Sequence, residues 1–136
     1  MTFVKETIRI INKNPIKKRT IKRRSAKAKG RSFQKETARF IREYFDLSDS
    51  DVRSTAASVP GEDLLFSEIA RTIFPFSVEC KNQEHINIWA AIEQANRNSG
   101  KYTPIVVFKK NNSETYVTID FECFLALIKH GIESLK

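Results

Sequence analysis

Two short apolar runs, Phe76-Ser77-Val78-Glu79-Cys80 and Pro104-Ile105-Val106-Val107-Phe108, constrain this chain more than any other feature. Each is too brief for a core helix, and almost continuously apolar until its end, the pattern of a strand covered above and below. Between them Ile86, Trp89, Ala90, Ile92 and Ala95 recur at helical spacing, and Ser99-Gly100 supplies a stop. A buried strand, a helix over residues 86–98 and a second buried strand make a crossover unit, for which a right-handed connection is expected.

The remaining elements follow from the same periodicities. Residues 32–45 put Phe33, Thr37 or Ala38, Phe40, Ile41 and Tyr44 on one helical face, with Ser32 as N-cap. Residues 52–59 read as a strand, Pro60-Gly61 as a turn, and residues 63–66 as a second short strand. Ser67 can cap a helical turn through Ile73, and Pro75 breaks it before the strand over 76–81. Past Phe108, Asn111-Asn112 turns the chain into an edge strand over 114–119. Phe121, Phe124, Leu125, Leu127 and Ile128 then predict a packing helix up to Gly131. The expected class is α/β, a mixed central sheet flanked by helices in the order α, β, β, β, α, β, β, α. Trp89 is assigned to the core, and Cys80 and Cys123 to buried reduced thiols, since neither has metal-ligand spacing.

Charge divides the chain. Of 24 Lys and Arg residues, 12 fall within residues 1–31 against one acid, Glu6, so that segment carries +11, while residues 32–136 hold 12 bases and 15 acids, net −3; the two sum to the chain's +8. A basic N-terminal arm over 1–31 and a folded domain over 32–136 are expected. The arm offers Lys17, Lys18, Arg19, Lys22, Arg23, Arg24, Lys27, Lys29 and Arg31 to phosphates, and nucleic acid is the partner expected for such a run beside an acidic site. A solvated or targeting tail is the plainer reading of the same residues. There is no run of 18 apolar residues, and the first residues lack the apolar centre of a signal peptide. The expectation is therefore a soluble protein without a membrane partner, cytoplasmic in its own cell or in a host infected by a phage or virus.

Chemistry concentrates at the end of the first apolar run. In an extended strand Glu79 and Lys81 project to one face while Cys80 points to the other. Asp63 lies sixteen residues upstream at the start of a short strand. Two carboxylates with a lysine suit Mg²⁺, which accepts few protein oxygens and keeps several waters. Taken singly, an Asp before a strand is commonly a turn residue, and Glu-x-Lys at a strand end is commonly a solvated pair.

Asp63 followed by Glu79-Cys80-Lys81, with Glu36 on the preceding helix and Gln94 on the next, resembles the PD-(D/E)XK nuclease superfamily. The segment Lys29-Gly30-Arg31-Ser32-Phe33-Gln34-Lys35-Glu36 is similar to the opening of archaeal-type Holliday junction resolvases and related phage and viral nucleases, and the resemblance spans residues 29–128. The chain departs from the family's Pro-Asp pair, which here reads Pro60-Gly61-Glu62-Asp63, so Glu62 and Asp63 compete for the ligand position. Asp63 is taken, because it opens the apolar Leu64-Leu65-Phe66 run.

The resemblance implies a restriction-endonuclease-like αβββαβ core with Asp63 and Glu79 binding one or two Mg²⁺ ions, Mn²⁺ substituting, helped by the Cys80 carbonyl. It implies that Glu36 binds metal directly or through water, that Lys81 positions the nucleophilic water, and that Gln94 orients water or touches the phosphate. Ser58 or Ser54 would answer to a loop serine near the scissile phosphate. The activity implied is a Mg²⁺-dependent, structure-specific endodeoxyribonuclease acting on branched DNA as a homodimer, in the manner of a Holliday junction resolvase. A nicking, recombination or restriction-like endonuclease on linear or single-stranded DNA is the alternative within the superfamily, and a non-catalytic nucleic-acid-binding protein the alternative outside it.

Overall fold

In the computed structural model, which describes residues 25–136, the chain first forms helix α1 (Ala26–Phe45). It starts earlier than the expected residue 32, and Ser25 rather than Ser32 is its cap, accepting the Ala28 amide at 3.3 Å. Lys27, Lys29 and Arg31 are therefore helical. The expectations for Lys17, Lys18, Arg19, Lys22, Arg23 and Arg24 lie outside the described residues. Phe33, Thr37, Ala38 and Ile41 form the buried stripe of α1, as their spacing predicts, while Tyr44 is exposed. The helix ends where Asp46 adopts a left-handed conformation, its amide bonded to the Arg42 carbonyl.

Strands β1 (Val52–Ser54) and β2 (Leu64–Phe66) pair antiparallel, and α2 (Glu68–Ile73) follows with Ser67 as its cap. The expected strand over 52–59 is thus cut to three residues. Past Ser54 the chain must turn back: the Thr55 amide donates to the Asp63 carbonyl and its hydroxyl to the Glu62 carbonyl, closing a loop with Ser58 and Gly61 at positive φ. At φ 111°, Gly61 occupies backbone space that a side chain resists.

Strand β3 (Phe76–Asn82) runs parallel to β4 (Thr103–Lys109) through helix α3 (Ile88–Asn98), and β4 pairs antiparallel with β5 (Tyr116–Thr118). The class is α/β, with the sheet divided: β1 and β2 form one ladder and β3, β4 and β5 a second, mixed one. The two are joined by the Asp63 amide, which donates to the Val78 carbonyl at 3.1 Å. Alternation along β3 sorts its side chains. Phe76, Val78 and Cys80 join Phe33, Ala38 and Ile41 of α1, Val52, Leu64 and Ile105 in the main core. The other layer is smaller, Ala91 and Ala95 of α3 packing on Val106 of β4.

Helix α4 (Phe121–His130) is capped by Asp120 and stopped at Gly131, but it is not the packing helix its sequence predicts. No residue of it is fully buried; Leu127 is the partly buried contact to the core, while Phe121, Phe124, Leu125 and Ile128 are exposed. Trp89, assigned to the core, is 74% exposed. Cys80 is buried and free, as expected, whereas Cys123 is only partly covered. A 3₁₀ turn (Ile132–Leu135) closes the chain. No helix among the described residues is long and apolar enough to cross a membrane.

Candidate active site

The polar face of β3 is built against α3. Glu79 and Lys81 project together, as strand alternation requires, and Lys81 Nζ lies 3.1 Å from Glu79 Oε1 and 2.9 Å from Gln94 Oε1. Gln94 stands on the stripe of α3 that also carries Ala91 and Ala95, so the helix that covers this face also contributes to the site. From the other side comes Asp63. Its Oδ2 accepts the Cys80 amide at 2.7 Å, while its own amide is the one bonded to Val78. A residue's N–H and C=O point to the same side of a strand, so the Cys80 carbonyl also faces Asp63 rather than β4.

Burial dominates the electrostatics. Glu79 is 2% exposed, and desolvation first, then the charge of Asp63, raises its pKa, while the Lys81 ammonium and the Asn98 side chain pull it down. Desolvation likewise raises the pKa of Asp63, opposed by the Cys80 amide and by Lys81. An ionised carboxylate this deep costs several kcal/mol unless its oxygens are satisfied. One of them is not. Glu79 Oε2 is buried without a hydrogen-bond partner among the described residues. Two neighbouring acids, a backbone carbonyl and an orphaned carboxylate oxygen fit a hard divalent cation, which would bring the positive charge that a single lysine does not supply.

The Cys80 thiol contributes nothing reactive. Burial, then the charge of Asp63, pushes its pKa up to about 12 despite the Thr37 hydroxyl beside it, so it stays protonated on the α1 side of the strand.

Of Glu62 and Asp63, the first pairs its carboxylate with Arg71, while the second turns its carboxylate to β3. Arg71 also donates to the Phe76 carbonyl and stacks on Tyr102 at 3.8 Å and Phe66 at 4.6 Å. It thereby clamps the loop before β2 to the start of β3.

Asp63, Glu79, Cys80, Lys81 and Gln94 are thus brought together. Glu36 is half-buried on α1, one position before the Thr37 that meets Cys80. Among the described residues no three His, Cys, Asp or Glu side chains are grouped to hold an ion. Ser58 is exposed in the loop after β1 and Ser54 is half-buried within it. Lys27 and Arg31 are exposed, while Lys29 Nζ bonds Asn111 Oδ1 at 3.2 Å. The Asn111 amide in turn donates to Glu84, tying the start of α1 to the loops after β3 and β4.

Sequence reasoning missed Asn98 and Arg71. Asn98 carries a readable signal, since it lies one helical turn after Gln94, so both reach the face that meets β3. Arg71 carries none, because its four partners are set by tertiary folding.

Comparison with protein-family models, with curated proteins and with solved structures returns no match to this chain.

Proposed function

We propose that this chain is a Mg²⁺-dependent endodeoxyribonuclease of the PD-(D/E)XK type, hydrolysing phosphodiester bonds in branched DNA as a pair of identical subunits. The observation that carries the reading is the buried, unbonded Oε2 of Glu79 beside a second acid and a lysine. A purely structural Glu-Lys pair at a strand end has no reason to bury an oxygen and leave it unsatisfied. The restriction-endonuclease-like core is part of this proposal, supported by the parallel β3–α3–β4 unit and by the position of Asp63 against β3.

In this reading Asp63, Glu79 and the Cys80 carbonyl hold the cation, which supplies Lewis-acid stabilisation of phosphoryl oxygens and a more acidic bound water. Lys81, fixed by Glu79 and Gln94 at 2.9–3.1 Å, positions the attacking water and offsets charge in the transition state. Gln94 keeps the ammonium aimed and leaves its NH₂ group to donate to water or a phosphate oxygen. Glu36 binds the metal directly or through water. Mn²⁺ would replace Mg²⁺ at an all-oxygen site. The preference for a four-way junction comes from two active sites related by a two-fold axis, matched to two strands of opposite polarity.

The deciding experiment offers the full chain junction, flap, nicked and linear DNA with Mg²⁺, with Mn²⁺ and with EDTA. Paired symmetric nicks near the exchange point, lost in EDTA and in Glu79→Ala, are expected. Absence of any cleavage with either metal would overturn the nuclease reading. Equal cleavage of linear duplex by a monomer would remove junction specificity and leave the broader nuclease assignment.

A further inference from the structure

We infer that α4 is the contact through which two copies of this chain associate, the two helices lying antiparallel across a two-fold axis. Phe121 is 70% exposed, Ile128 69%, Leu125 47% and Phe124 44%. At 3.6 residues per turn these four fall within an arc of about 100° on one face of the helix. Leu127 points away from that arc, toward the core. The stripe follows the i, i+3, i+4, i+7 spacing of a helix that packs on another helix, yet no such helix is present among the described residues. Contiguous apolar surface of this kind on a soluble domain marks an interaction site.

Charge selects the occupant. Glu122 and Lys129 stand two turns apart on the same flank of the stripe, and all other positions on that flank are uncharged. In an antiparallel pair of identical helices like flanks meet, and the start of one helix faces the end of the other. Glu122 of one copy then meets Lys129 of the second, twice per dimer. A parallel pair would bring unlike flanks together and keep Glu122 and Lys129 from meeting. The pattern is self-complementary about a two-fold axis perpendicular to the helices. A second copy of this chain is therefore the fitting partner.

This inference rests on the two-copy arrangement proposed above but not on its chemistry. Sedimentation equilibrium of the full chain decides it, with circular dichroism confirming that each variant folds. A concentration-dependent dimer is expected for the parent. Ile128→Glu, at a site already open to water, should weaken the dimer at least about a hundredfold. Glu122→Lys should weaken it about fivefold or more, and Glu122→Lys with Lys129→Glu should restore it. A parent that stays monomeric at every concentration overturns the inference, as does a dimer indifferent to Ile128→Glu. A dimer that ignores the charge reversal overturns the antiparallel pairing. Cleavage is read separately: single nicks retained by monomeric Ile128→Glu, with paired nicks lost, tie the interface to function, whereas a dimer with no cleavage at all refutes only the nuclease reading.

Discussion

Asp63 is hydrogen-bonded through its carboxylate to the amide of Cys80, 2.7 Å away, so the acid from the loop is fastened to the backbone of the strand that carries Glu79. The charge of Asp63, held at that place, helps to raise the pKa of Glu79.

The first prediction separates the fastening from the charge. Asp63→Asn keeps an oxygen able to accept from Cys80 but removes the negative charge, so it should fold like the parent and lose at least about a hundredfold in cleavage rate. Glu79→Ala should lose as much while binding DNA nearly as well, since the carboxylates repel phosphate without metal. Single-turnover cleavage beside a binding isotherm checks both. Parent-like cleavage by either variant would sink the metal assignment.

The second concerns pH and metal. Both acids have folded-state pKa values raised chiefly by burial. A group shifted upward on folding stabilises the protein below its unfolded pKa, and that contribution is lost as pH rises through the folded one. Metal-free protein should therefore lose stability as pH climbs from the ordinary carboxylate range through these raised values. Asp63→Asn combined with Glu79→Gln should flatten the slope. Mg²⁺ at a hundred times its Kd should add about 2.7 kcal/mol, and more at higher pH because only ionised carboxylates bind it. Thermal melts across pH, with Mg²⁺ or EDTA, provide the measurement.

The third concerns Arg71, clamped between Tyr102 and Phe66 and bonded to Glu62 and the Phe76 carbonyl. Arg71→Ala leaves the mostly buried Glu62 carboxylate unpaired and should cost about 3 kcal/mol. Cleavage should fall as well, because the loop holding Asp63 loses its anchor to β3. Denaturant melts should place Arg71→Lys between the two, since lysine keeps the charge but not the planar fork.

The fourth concerns the N-terminal bases. Deleting residues 1–24 removes nine Lys and Arg residues and spares Ser25, which caps α1. The slope of log affinity against log salt on duplex DNA should become shallower by about 0.9 for each phosphate that the shortened chain no longer neutralises. Cleavage at saturating DNA should persist. An unchanged slope would show that the segment serves something other than phosphate.

The order of elements was legible because β3 and β4 open as short, largely apolar runs and α3 between them keeps helical period; these signals are local. Glu79 and Lys81 were legible as a pair because strand alternation fixes where they point, whereas Asp63 and Gln94 were singled out by the resemblance to the nuclease motif. What failed was context. Lys27, Lys29 and Arg31 looked like an arm, yet Lys and Arg are good helix formers, and Gly30 costs only about 1 kcal/mol within a helix. Residues 55–59 have strand-like composition, but the chain there must reverse to return Asp63 to β3, and that demand outranks propensity. Trp89 and the α4 stripe were read as core because apolar periodicity says that a face is buried without saying in which molecule.

The unbroken course of α1 has a consequence for whatever precedes it. Twenty residues at 1.5 Å each make a rod about 30 Å long. Its buried stripe from Phe33 to Ile41 holds the rod to the core, and Lys29 pins its start to Asn111, near where β3 delivers Lys81. The start of α1, from which the 24 residues ahead of Ser25 lead, is thus fixed to the loop after β4. For the proposed DNA substrate, the effective concentration of their basic side chains is a function of tether length, and inserting a flexible spacer before Ser25 should dilute it along a roughly −3/2 power law while every basic side chain stays in place.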